Sequence, residues 1–202
     1  MNAKKRYYRI LRHEYLQKQV LAWWARLHGD KDMLERLEWP GDRAPYTKSM
    51  RAELKHCGRV DDVLLTEAFR TLWFSLGDRE TYSTNDMLAW ATVAAVVATI
   101  RTHDESRSFA AALGSQKEKT GKPHVSELRF AQLQKSGDAD TFLRRCRRAV
   151  ALLGNQANVM SVADSVLHWH TEKQGYSLER ADQRLAVRWA TDYFTALAEY
   201  QK

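Results

Sequence analysis

The sequence predicts an all-α protein made of two small helical bundles joined by a polar loop, and three observations predict it. Apolar residues recur at helical spacing, and no stretch sustains the alternation of a half-buried strand. Prolines number 3 and glycines 9 in 202 residues, which suits helices better than a turn-rich β fold. Capping residues and glycine stops also recur at helix-length intervals.

Taken in order, the first helix is expected from about Arg6 to Leu27, ending near Gly29. A loop holding Pro40, Gly41 and Pro45 follows. Thr47 can cap a short helix that Gly58 stops after Cys57. Further helices are expected at 61–76 and 86–101, separated by the Gly77-Asp78 turn. The apolar run Leu88 to Ile100 is shorter than the roughly 20 residues a membrane span needs, so it reads as a buried helix. From 102 to 125 the chain turns polar, with a short apolar turn SFAAALG at 108–114 and then SQKEKTGKPH. Helices follow at 126–134, 138–153, 159–171 and 177–200, with Ser126, Asp138 and Ser177 as N-caps. The organisation read from this is an N-terminal bundle at 1–103, a linker at 104–125 and a C-terminal bundle at 126–202. Most of the seven Trp are expected as core anchors, Trp90 and Trp189 among them.

Cys57 and Cys146 form no CxxC pair, so neither a disulfide framework nor a zinc site is expected, and a reducing cytoplasm is the plain reading. The N-terminal MNAKKRYYRILRHEYL lacks an apolar stretch before Glu14, so no signal peptide is expected. Catalytic fingerprints are missing: there is no GxxxxGK(S/T), GxGxxG, GxSxG or HExxH. His168 and His170 lie about 200° apart on a helix and cannot share a metal. His103-Asp104 beside His124 could form an acid–base pair, but nothing in the sequence brings them together. No enzyme activity, cofactor or metal is expected.

The formal charge of +7 is uneven. Residues 1–60 carry 14 Lys/Arg against 7 Asp/Glu, residues 61–100 carry 2 against 6, residues 101–150 carry 11 against 6, and residues 151–202 carry 5 against 6. Two basic blocks therefore alternate with two acidic ones, which points to a basic surface backed by more neutral helices. In TFLRRCRRAVALLG, Leu143, Cys146, Val150 and Leu153 share one helical face. Arg144, Arg145, Arg147 and Arg148 occupy an arc of roughly 160° opposite it. Four guanidiniums without an acidic neighbour repel one another unless an anion lies across them, and their planar forks match phosphate. A solvated face pairing with carboxylates elsewhere explains the same residues; phosphate contact is favoured. In TKSMRAELKHC the same pattern sets Lys48, Arg51 and Lys55 opposite Met50, Leu54 and Cys57. A third cluster, Lys117, Lys119 and Lys122, lies between Arg107 and Arg129. Such clusters follow a phosphate backbone without reading bases. Tyr7, Tyr8 and Tyr15 among Lys4, Lys5, Arg6, Arg9 and Arg12 offer stacking beside charge, although an amphipathic helix with tyrosines at its boundary explains them better.

The order and spacing of several segments resemble one family. LAWWARL at 21–27, RAELKHC at 51–57, LAWATVAAVVA at 88–98, SFAAALG at 108–114, SELRFAQL at 126–133, FLRRCRRAVALL at 142–153 and VRWATDYF at 187–194 together are similar to the small subunit of the type I-E CRISPR Cascade complex, the CasB family. Two departures are visible: Ala110 and Ala111 stand where members often have Gly and a basic residue, and KKRYYRILRHEY is longer and more basic than the family minimum. The resemblance implies a non-catalytic two-lobed helical protein of the cytoplasm, acting in antiviral defence. It implies guide RNA and the target and displaced DNA strands as partners, held through backbones because base pairing reads the sequence. Backbone and large Cascade subunits, and a second copy stacked head to tail, are further implied partners; a membrane is not. Matching segments point to Arg51, Lys55, Arg129, Arg147 and Arg148 as contacts, with Arg107, Lys119 and Lys122 flanking them. Arg144, Arg145 and Lys48 rest on the helical-face argument. Two other readings fit: an all-helical protein–protein adaptor, or a helical DNA-binding regulator. The regulator needs a polar reader helix, for which DDVLLTEAFRTLWFSL is too apolar.

Overall fold

The computed structural model describes residues 8–77, 81–175 and 180–201. They form eleven α-helices and one two-residue pair of parallel strands. The fold is essentially all-α, as the helical periodicity predicts. Lys4, Lys5, Arg6, Tyr7, Asp78 and the expected cap Ser177 lie outside the described residues.

Helix α1 (Glu14–His28) ends on Gly29, whose φ of 72° is the left-handed conformation that glycine takes without strain. It starts eight residues later than periodicity predicts. The N–H groups of Arg9, Ile10 and Leu11 donate instead to the buried carboxylate of Asp164, at 2.5–2.9 Å, so residues 9–11 are held away from helical bonding. Helix α2 (Lys31–Arg36), in the stretch read as loop, is nucleated by Asp30, whose side chain accepts from Met33 N. Thr47 caps α3 (Lys48–His56) as expected. The helix expected over 61–76 is broken into α4 (Val60–Leu64) and α5 (Glu67–Ser75). Thr66 separates them: its hydroxyl accepts from Phe69 N and donates to Val63 O.

Helix α6 (Thr84–Val97) opens with a reciprocal Ser83–Asp86 capping box and is buried continuously from Ala89 onward. Strand β1 (Thr102–His103) pairs in parallel with β2 (Gln156–Ala157). The apolar turn at 108–114 is a helix, α7 (Phe109–Gly114), capped by Ser108. Gly114 is required there, because any Cβ would collide with the carbonyl oxygen of Tyr193. Then come α8 (Glu127–Gln134), α9 (Ala139–Leu152), α10 (Val159–Lys173) and α11 (Leu185–Ala198). α11 starts later than the sequence predicts, after a 3-10 turn at 181–183 and an extended Arg184 with ψ 141°.

Helix α10 is buried from Val159 to His170, and α6 and α10 together form the axis about which the rest packs. The buried residues make one continuous cluster running from Leu11 to Leu197. Phe142 stacks on Trp169 with centroids 4.3 Å apart, and Phe130 on Tyr193 at 4.1 Å. Six of the seven tryptophans are buried, Trp90 and Trp189 included. Their indoles find partners across elements: Trp24 donates to Ile100 O at 2.8 Å, Trp23 to Ala68 O at 2.9 Å and Trp189 to Ser165 Oγ at 3.1 Å.

Two buried histidines, His168 and His170, and the half-buried His28 are held in neutral form, each with its pKa lowered to about 4. Burial is the largest cause for all three; nearby Arg51 and Lys55 add to it at His28, and Arg188 and Arg9 at His168. These groups bind protons more readily in the unfolded chain, so the stability they carry is complete above about pH 6.5 and is lost as pH falls toward 4. His170, 7% exposed and hydrogen-bonded to Thr92, alone should contribute a loss of about 2 kcal/mol between pH 7.5 and 5. Urea unfolding at the two pH values checks this; equal midpoints would contradict it.

Candidate nucleic-acid interface

Helix α3 buries Met50 and Leu54 and turns Lys48, Arg51 and Lys55 the other way. The structure adds a residue that the sequence did not single out. Arg101, just past α6, has its N–H donating to Asn155 O at 2.7 Å, beside the β1–β2 pair. This sets its exposed side chain in the field of Arg51 and Lys55. Partial burial, then the Arg51 and Arg101 charges, pull the Lys55 pKa below its ordinary value. His28 sits under the same group, its Nδ1 3.4 Å from Arg51 Nη1. Among the described residues no carboxylate forms an ion pair with Arg51, Lys55 or Arg101. Three cations held together without a counter-charge form a surface that an anion stabilises.

Helix α9 joins this group, but not as a four-arginine arc. Arg144 and Arg148, at the centre of the arc, are exposed; Arg144 bonds only its own turn, at Thr141 Oγ1. The two arginines at its edges turn into the protein, which corrects the outward orientation expected of them. Arg147 donates to Leu54 O at 2.5 Å, Cys57 O at 2.6 Å and Ala95 O at 3.0 Å, so its fork closes the C-terminal ends of α3 and α6. Arg145 does the same for α8, donating to Gln132 O at 2.5 Å and to Ser136 Oγ. These donors are engaged by the protein's own backbone, and neither residue is placed as a phosphate contact. Arg147 thus ties α9 to the end of α3, and its neighbour Arg148 stays exposed.

The remaining predicted residues are spread more widely. Arg129 is exposed on α8 and Lys48 at the start of α3. Lys119 and Lys122 are exposed on a small hairpin in which Lys117 N donates to Lys122 O at 2.8 Å and Gln116 bridges Pro123. The hairpin base lies against the end of α9, with His124 Nδ1 3.3 Å from Leu152 O. Arg107 is ion-paired to Glu199 at 2.9 Å. His103 contacts Glu105 and accepts from Val159 N, and so makes no pair with His124. His168 and His170 likewise have separate partners, Arg188 and Thr92. Among the described residues no group of three metal-ligating side chains is placed to hold an ion, and no helix is long and apolar enough to cross a membrane.

Arg101 and His28 escaped sequence reasoning because their partners lie 46 to 54 and 23 to 27 positions away. No periodicity spans such distances. Asp164 escaped for the same reason.

No curated protein and no solved structure matches the chain. A family model for CRISPR-associated protein Cse2 matches residues 50–194, a span that takes in α3 from Met50 onward, Arg101, the hairpin and α9. With that match covering well over half its length, the chain belongs to the Cse2 family of CRISPR-associated proteins, the family of the type I-E Cascade small subunit CasB.

Proposed function

We propose that this Cascade subunit holds nucleic-acid backbones, without reading sequence and without catalysis, on the face built by Arg51, Lys55 and Arg101, with the exposed Arg148 of α9 as a further contact. Lys48, Arg129, Arg144 and the hairpin lysines Lys119 and Lys122 are further contacts in this reading, and Arg107 is tied to Glu199. The observation that carries the reading is the uncompensated Arg51–Lys55–Arg101 group, whose mutual repulsion a phosphate relieves. Guide RNA and the target and displaced DNA strands are the ligands proposed from the family, in the cytoplasm, with the displaced strand of the R-loop steadied by the same backbone contacts. Contacts with the backbone and large subunits and with a second copy head to tail have separate support: exposed Leu128, Val187 and Phe194 on α8 and α11 offer apolar area that a partner protein would cover.

The test is fluorescence anisotropy of labelled oligonucleotides against salt concentration, with the wild-type chain and with Arg51→Ala/Lys55→Ala/Arg101→Ala. The triple variant should lose affinity for all sequences alike. Its salt dependence should flatten by roughly 2–3 units of log–log slope, at about 0.7–0.9 per lost phosphate contact. An unchanged slope in a folded triple variant would sink the assignment. A preference for one sequence that survives high salt would favour a regulator instead.

A further inference from the structure

We propose a second nucleic-acid site, resting on the reading above, in the groove between the N-terminal segment and α11. The groove measures about 760 Å³ and is lined by Tyr8, Arg9, Arg12, Glu14, Gln17 and Arg188. Its ligand is a single-stranded nucleic-acid segment, with phosphates against the Arg9 and Arg12 guanidiniums and a base beside Tyr8.

Three features build the site. The first is charge. Three arginines line the groove; Arg188 is paired with the buried Asp164 at 3.6 Å, and the one lining carboxylate, Glu14, is answered by Lys18 at 3.3 Å. Among the described residues neither Arg9 nor Arg12 makes an ion pair. The field is strong enough that Arg9 and Arg188 both help hold His168 neutral beneath them.

The second is rigidity. Asp164 fixes the backbone of residues 9–11 through their N–H groups. Arg9 Nη2 is placed on Gln183 Oε1 at 2.5 Å, Arg12 Nε on Arg9 O at 2.6 Å, and Arg188 between His168 Nδ1 at 3.1 Å and Asp164 at 3.6 Å. Guanidiniums already held in place lose less freedom when an anion docks.

The third is size and composition. The groove holds far more than one phosphate, and an aromatic ring beside arginines is the combination that binds unpaired bases and their backbone together.

The groove is separate from the first face. Glu14 lines the groove at the first turn of α1, and His28 lies under the Arg51 group at the last turn of the same helix, about 21 Å away at 1.5 Å per residue. A chain with both sites engages two segments of nucleic acid at once, at opposite ends of α1.

The experiment uses mixed-sequence 15-mers carrying 4-thiouridine (RNA) or 4-thiothymidine (DNA), photocross-linked to the full chain and mapped by peptide mass spectrometry. Cross-links in the peptide spanning Tyr8–Gln17 that persist in Arg51→Ala/Lys55→Ala/Arg101→Ala are the expected result, and the two oligonucleotides tell which strand chemistry the groove takes. Arg9→Gln/Arg12→Gln should remove those cross-links and lower the single-strand salt slope by about 1.4 units, at about 0.7 per contact. Arg12→Gln alone, at an exposed side chain that leaves the Arg9–Gln183 contact in place, should lower it by about half that. Cross-links confined to α3 and α9, with an unchanged slope in both variants, overturn the groove and leave the first face standing. No affinity for either oligonucleotide at low salt overturns both sites.

Discussion

Replacing Arg147 with methionine is expected to destabilise the protein by about 3–5 kcal/mol, although the residue sits in what reads as a solvent-facing arginine cluster. Its guanidinium is the hydrogen-bond donor for carbonyls of Leu54, Cys57 and Ala95. Those carbonyls lie at the ends of α3 and α6, where no intrahelical donor remains, and the partial negative charge of both helix ends favours a cation there. Methionine keeps most of the volume of the stem, so the loss reports the donors rather than a cavity. Arg147→Lys should recover only part of the loss, because an ammonium on a flexible stem cannot reproduce a fork that spans three acceptors. Arg148→Ala, one residue on and exposed, should change stability by no more than about 0.5 kcal/mol. Urea unfolding of the three variants separates the cases, and equal midpoints for Arg147→Met and Arg148→Ala would remove Arg147 from the framework.

Asp164→Ala is expected to cost a similar amount, about 3–5 kcal/mol, and to free the N-terminal segment. The carboxylate is 1% exposed and accepts from three successive backbone N–H groups, with Arg188 3.6 Å away. Alanine leaves those three backbone donors without their acceptor and takes the carboxylate from beside the half-buried guanidinium. Asn retains one acceptor oxygen but no charge, so Asp164→Asn should fall between. Limited trypsin digestion gives a second readout: cleavage after Arg9 and Arg12 should accelerate well before the core unfolds, because opening of this segment then needs little free energy. A folded Asp164→Ala protein with wild-type digestion kinetics would show that something other than Asp164 holds residues 9–11.

How far the sequence reaches is clearest on α9. The alternation of TFLRRCRRAVALLG is enough to place Leu143, Cys146 and Val150 in the core and to put arginines opposite, because one helix repeats every 3.6 residues whatever surrounds it. The same argument cannot say which arginines stay outside. Those at the arc's centre do, and those at its edges meet the ends of α3, α6 and α8, whose positions depend on contacts from distant parts of the chain. Capping shows a similar division. Thr47, Asp138 and the glycine after α1 are legible because their partners lie within a few residues. Thr66 was missed as a break because the apolar pattern runs through it without interruption.

The sequence by itself determined the all-α class, the burial of most of the tryptophans, the family through its ordered segments, and the basic face of α3 opposite its apolar one. All of these follow from local periodicity, residue chemistry or spacing along the chain. Only the tertiary structure decided that Arg101 completes the α3 group, that Arg145 and Arg147 close helix ends, and that Asp164 folds the N-terminal segment into an arginine-lined groove. The physical reason is the same in each case. Hydrogen bonds and charges act over a few ångströms in space, and the residues that meet there stand between 9 and about 180 positions apart in the chain.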